Sequence, residues 1–181
     1  MKPVVVLVGP PGAGKSTVAK ELAARLGVTV RDTDADIGAA AGTSIQDIFI
    51  DQGEAHFRAL EEDAVARVLD EHDGVVALGG GAVLSDRTRE RLRGHRVIFL
   101  DVGLTTAVRR VGLGTGRPLL LGNVRAQLKQ LMDARHVLYR EVADLTVLTD
   151  DLDPAQVADQ ALAFIAADLP SEPRHPHQEK S

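Results

Sequence analysis

At 181 residues the chain is long enough for one domain with a true core, and its 44% hydrophobic and 26% charged content is that of a globular protein, not a disordered one. A net charge of −5 lacks the basic footprint of a nucleic-acid binder, and with no cysteine the chain has no disulfide, thiolate zinc site or cysteine nucleophile. Such a composition accords with a reducing cytosol, and no run of 18 apolar residues is present to span a membrane, so a soluble cytoplasmic protein is expected.

The first predicted element is the strand Val4–Val8. Its apolar run is five residues long and stops at Gly9-Pro10, too short for the core of a secretory signal. Gly9-Pro10-Pro11-Gly12-Ala13-Gly14-Lys15-Ser16-Thr17 follows and matches G-x-x-x-x-G-K-[ST], between this strand and a helix over Ser16–Leu26. Glycines there let successive amides turn inward on phosphate oxygens, Lys15 can reach the β- and γ-phosphates, and the Ser16 hydroxyl suits Mg²⁺. A nucleotide is therefore expected on this loop. A guanine-specific switch is disfavoured, because such proteins share N-K-x-D, and none of the five lysines here is followed two residues later by Asp.

A weaker strand over Val28–Arg31 leads into Asp32-Thr33-Asp34. If the strand continues, residues two apart share a side, so both carboxylates face the phosphates. One would then hold the Mg²⁺ shell and the other accept the proton of an attacking hydroxyl. The competing reading is an acidic turn capping a helix near Ile37. A helix over Ala55–Asp70 comes next, with Phe57, Leu60, Ala64 and Val68 as its core stripe and Arg58 one position round. On helical spacing alone Arg58 reads as a surface ion pair with Glu62 or Glu61.

The strand Val75–Leu78 ends in Gly79-Gly80-Gly81, which suits a ligand lying against backbone amides, a flexible strand end being the alternative. The helix Asp86–Arg93 carries arginines at 87, 89, 91 and 93, with 96 beyond it, and their spacing spreads them round the axis as solvated charges. Asp101 ends the strand Val97–Leu100 as a rival Mg²⁺ ligand, or else caps the helix Thr105–Val111. Residues 112–122 alternate glycines with the single Arg117, the composition of a mobile lid that delivers Arg117 to developing charge, or of a flexible loop with an idle arginine. A helix over Val124–Tyr139 and a strand over Leu145–Leu148 follow, and Asp153-Pro154 opens a last helix with the stripe Val157, Ala161, Phe164, Ile165. Past residue 168 the prolines and polar residues predict a disordered tail over 169–181. Strands alternating with helices imply an α/β fold, a five-stranded parallel sheet flanked by helices.

Taken together, Gly9–Thr17, Asp32-Thr33-Asp34, Arg58-x-x-Glu61-x-x-x-Val65, Val75-Val76-Ala77-Leu78-Gly79-Gly80-Gly81-Ala82-Val83 and Arg117-Pro118-Leu119-Leu120 resemble, in order and spacing, the shikimate kinase family over roughly residues 4 to 168. That resemblance implies a P-loop kinase fold in one domain over 1–168, with a substrate-binding segment near 33–61 and a lid near 112–122. It implies transfer of the ATP γ-phosphoryl group to the 3-hydroxyl of shikimate, in aromatic amino-acid biosynthesis, by a cytoplasmic monomer with no nucleic-acid or membrane partner. By position, Gly12, Ala13, Gly14, Lys15, Ser16 and Thr17 bind ATP, Arg110 and Pro154 flank its adenine, and Ser16 and Asp32 serve Mg²⁺. Lys15, Asp34 and Arg117 are the implied catalytic residues, and Asp34, Arg58, Gly79, Gly80, Gly81 and Arg135 the implied substrate contacts, with Phe49, Phe57 and Glu61 nearby. Where family members often have a basic residue just before the position of Asp153, this chain has Asp151 and Leu152. Two other readings compete: a different small-metabolite kinase, such as one resembling gluconate kinase, and a nucleotide-binding module without turnover.

Overall fold

In the computed structural model, residues 2–115 and 121–167 are described, with side chains left out at 113–115 and 121–123. Five parallel strands, β1 (Val5–Val8), β2 (Val30–Asp32), β3 (Val75–Ala77), β4 (Val97–Asp101) and β5 (Leu145–Leu148), form one sheet in the order β2-β3-β1-β4-β5. β1 sits at the centre, with Val6 opposite Val76 on β3 and Val97 on β4.

Side chains of a strand alternate between faces, so an all-apolar strand feeds two cores at once. Val5, Leu7, Val75, Ala77, Ile98 and Leu100 pack on one face against α1 (Lys15–Leu26) and α8 (Pro154–Ala167). Val6, Val8, Val76, Val97 and Phe99 face the other way, onto α4 (Glu54–Glu71), α5 (Asp86–Leu92) and α7 (Leu121–Val142). The fold expected from the alternation of elements is the fold observed.

Of the two helices between β2 and α4, α2 (Thr33–Ala41) was expected only in the competing reading of a helix near Ile37, and α3 (Ile45–Gln52) was not expected. α2 is short and rich in alanine, burying only Thr33 and Ile37, so it offers no stripe to detect. α3 did carry a start signal: the Ser44 hydroxyl accepts the Asp47 amide at 3.0 Å, the S-x-x-D pattern of a helix cap. Ile37, Ile48, Phe57 and Ala64 make a small third core that binds α2, α3 and α4 together.

Other boundaries move by a few residues. α6 (Leu104–Thr115) continues through Gly112 and Gly114, which were expected to act as hinges, and α7 begins at Leu121. Residues 116–120, with Arg117, and the expected tail lie outside the described residues. Asp153 caps α8 as expected: its Oδ1 accepts the Gln156 amide at 2.8 Å, and Gln156 returns the bond to the Asp153 amide. Arg89 corrects the reading of a solvated arginine cluster. Its side chain is 17% exposed, donates to the Val83 and Leu84 carbonyls and pairs with Asp86 and Glu141, fastening the 3₁₀ turn Ala82–Leu84 to α7.

Candidate active site

The C-terminal ends of β1, β2 and β3 open on one side of the sheet, where α/β proteins bind ligands. β1 runs into the loop Gly9–Lys15, and α1 starts at Lys15. Gly12 and Gly14 have φ of +82° and +89°, a conformation side chains resist, and a Cβ on Gly12 would come 2.8 Å from the Ala107 carbonyl oxygen. Only glycine lets the loop pass there.

Lys15 folds back over the loop, its Nζ donating to the Gly9 carbonyl at 2.7 Å and to Pro10 at 3.1 Å. Burial lowers its pKa to about 8; Asp34 and Asp32 pull the other way, and Arg135 adds to the lowering. The ammonium is thus short of compensating negative charge, which a phosphate would supply. The Ser16 hydroxyl donates to Asp32 Oδ2 at 2.5 Å. Asp32 Oδ1 accepts the Asp34 and Ala35 amides at 3.0 and 3.3 Å, making Asp32 the N-cap of α2. Its two oxygens divide the work, so the capping alternative and the loop-facing reading hold together.

Asp34 belongs to the first turn of α2, not to a strand end as the i, i+2 argument assumed. It nevertheless faces the phosphate loop, since Lys15, Asp32 and Arg58 all act on its charge. Burial raises its pKa first, Asp32 adds to the rise, and Lys15 and Arg58 oppose it. Thr33 between them, fully buried, accepts the Gly79 amide at 2.9 Å and so joins α2 to the end of β3. No feature of the sequence singled out Thr33.

None of Gly79, Gly80 and Gly81 has a positive φ, so space rather than conformation explains them. A Cβ on Gly79 would collide with the carboxylates of Asp34 and Glu61, and one on Gly81 with the guanidinium of Arg58. The strand end is stripped of side chains so that these three can converge over it. Arg58 is bound to Glu61 at 2.5 Å and to Glu54 at 3.4 Å; Glu62, expected as a partner, instead accepts from Ser85 and Arg87. Arg58 also lies on the faces of Phe49 and Phe57, 5.7 and 5.2 Å from the ring centroids. Glu61 is 3% exposed, and burial lifts its pKa although Arg58 opposes the shift. This is a built site, not the surface pair that helical spacing alone suggested.

Arg135 reaches the same place from α7, where its field acts on Lys15, Glu61 and Tyr139. Asp101 is otherwise engaged. Its Oδ1 accepts the Val102 amide at 2.9 Å and its Oδ2 bonds His136 at 3.1 Å, and it accepts no α6 amide among the described residues.

Beside the phosphate loop lies a cavity of about 500 Å³, lined by residues 11–18 and by Arg110, Thr149, Leu152, Pro154 and Val157. Arg110 is fixed across it by bonds to the Gly12 carbonyl at 3.1 Å and the Thr149 carbonyl at 2.9 Å. Leu152 gives this slot an apolar wall. Ser16 and Asp32 are hard oxygen donors in contact, and with phosphate oxygens and water they match how Mg²⁺ is bound beside nucleotides.

Comparison with known proteins agrees with this arrangement. A family model described as shikimate kinase matches residues 11–166. Shikimate kinase from Salinispora arenicola is 59% identical over 167 residues, covering 92% of this chain and all of that one. The Thermobifida fusca shikimate kinase is 52% identical over 170 residues, or 94% of this chain and 96% of its own. Among solved structures, shikimate kinase from Acinetobacter baumannii in complex with shikimate superposes with a TM-score of 0.85 at 33% identity, covering 93% of this chain and 95% of that chain.

Proposed function

The chain belongs to the shikimate kinase family, and from that premise we propose that it transfers the γ-phosphoryl group of ATP to the 3-hydroxyl of shikimate, giving shikimate 3-phosphate and ADP in chorismate and aromatic amino-acid biosynthesis. The observation that carries the reading is the convergence of Asp34, Arg58 and Glu61 over the side-chain-free end of β3, one strand away from a phosphate loop.

Residues Gly12 to Thr17 cradle the phosphates, and Arg110 and Pro154 bracket the base in the adjoining cavity. Mg²⁺, held by Ser16 and Asp32, would neutralise phosphate charge. Arg58 offers a planar fork to the shikimate carboxylate, pre-set by Glu61 and the two phenylalanines, and Arg135 approaches the same carboxylate from α7. The acceptor ring lies against Gly79–Gly81, which leaves its 3-hydroxyl toward Asp34. As the hydroxyl oxygen bonds to the γ-phosphorus, its proton passes to Asp34, and the bond to the β,γ-bridging oxygen breaks with its electron pair leaving on ADP. Asp34 suits that role, since burial makes it more basic than an ordinary carboxylate. Lys15 and Arg117 balance the charge that builds on the transferring group.

The working unit is a monomer of one domain over 1–168, with a substrate-binding segment over 33–61 and a lid over 112–122. It acts in the cytoplasm without nucleic-acid or membrane partners. Supporting this are the acidic net charge, a site drawn from one chain, and the fact that no helix of the described residues is long and apolar enough to cross a membrane. Incubation with ATP, Mg²⁺ and shikimate, followed by ³¹P NMR and mass analysis, tests the reading. One new phosphate monoester on the C3 oxygen with equimolar ADP is expected; ADP with unmodified shikimate would overturn it.

A further inference from the structure

We propose that Tyr139 is a positioning residue for the acceptor: its hydroxyl fixes the glycine end of β3, without touching substrate itself. The inference rests on the reading of Gly79–Gly81 as acceptor contacts. Tyr139 lies on α7 and is 1% exposed, its ring stacked on Phe99 of β4 with centroids 5.1 Å apart at 26°. Packing alone would be met by phenylalanine. The hydroxyl, however, donates to the Gly80 carbonyl at 2.6 Å, and the charge of Arg135, one helical turn back, acts on it.

A cation near the phenol polarises its O–H and makes it the stronger donor. Burial pushes the phenol up to about 12, so it keeps its proton throughout the neutral range and takes no part in proton transfer.

Three consecutive glycines have more backbone freedom than any other tripeptide, so something must hold them. Thr33 holds the Gly79 amide, and the Gly79 and Gly81 carbonyls accept from Ala82 and Leu84. The Gly80 carbonyl has only Tyr139 as a protein donor among the described residues. All peptide bonds in the described chain are trans, so fixing the Gly80 carbonyl also aims the Gly81 amide the opposite way. The amides of Gly80 and Gly81 find no protein acceptor among the described residues and are left for a ligand. Orientation of those amides thus passes through one oxygen.

Tyr139→Phe keeps the stacked ring and removes that oxygen. Melting temperature and steady-state constants for both substrates are measured for wild type and variant. Loss of that hydrogen bond should raise the shikimate KM about fivefold, with the ATP KM within about twofold. An unchanged shikimate KM, or equal rises for both substrates, would overturn the proposal even where the melting temperature falls. A wild-type enzyme that does not phosphorylate shikimate would instead bring down the functional reading, and this inference with it.

Discussion

Asp34 sits in the first turn of α2 with its carboxyl buried beside Asp32, and both surroundings disfavour its charge. A carboxyl whose pKa is raised by folding stabilises the fold while protonated, and that contribution is lost as pH rises through the raised value. At neutral pH the enzyme therefore carries Asp34 at a cost in stability, in exchange for a stronger base. Asp34→Asn should cut kcat severely and raise the melting temperature at pH 7, with the gain shrinking as pH falls toward 4. Thermal melts beside steady-state assays check both halves. A variant that loses activity without gaining stability would mean that the buried charge is compensated in a way this account lacks. The oxygens of Asp32 accept the Ser16 hydroxyl and two α2 amides. The same two residues show what a sequence can and cannot say: the pair was legible as carboxylates facing the phosphate loop, but its geometry was misassigned to a strand, because α2 lacks any apolar periodicity.

Among the elements, the end of β3 carries the sharpest constraint. Gly81 is occupied from above by the Arg58 guanidinium, so Gly81→Ala must displace that side chain from Glu61. The expected result is a shikimate KM raised about tenfold, as when one partner of a buried charged pair is disturbed, with little change in nucleotide affinity. Titration of each substrate separates these, and an unchanged shikimate KM would show that Arg58 has room to spare. The glycine run was visible in the sequence and was taken as room for a ligand; that the protein's own Asp34, Glu61 and Arg58 fill much of it was not. Such facts depend on contacts between residues 18 to 45 positions apart, which no local pattern records. The buried strands were legible for the opposite reason, since being covered on both faces leaves an unbroken apolar run. Arg89 failed in the same way as the glycines: its spacing on α5 looked like a solvated charge, and only the packing of the 3₁₀ turn onto α7 buries it.

At the scale of the whole molecule, the centre of the sheet joins the two halves of the site, β1 bearing the phosphate loop and β3 the acceptor end in register beside it. Binding to the native state alone stabilises it by mass action, about 2.7 kcal/mol at a ligand concentration 100 times Kd. Saturating ADP with Mg²⁺ should therefore raise the melting temperature by several degrees, and Lys15→Ala should lose most of that rise together with turnover. An equal shift in the variant would remove Lys15 from the nucleotide site.

The central claim is that this nucleotide site serves an acceptor recognised by its carboxylate through Arg58. Steady-state ADP release from wild type and Arg58→Ala, with shikimate, with gluconate and with no acceptor, tests it most directly. The account predicts turnover with shikimate alone, and in Arg58→Ala a shikimate KM raised at least about tenfold, the loss expected when one member of a buried charged pair is truncated; the ATP KM stays as in wild type. Comparable turnover with gluconate, or an unchanged shikimate KM in the variant, would contradict it.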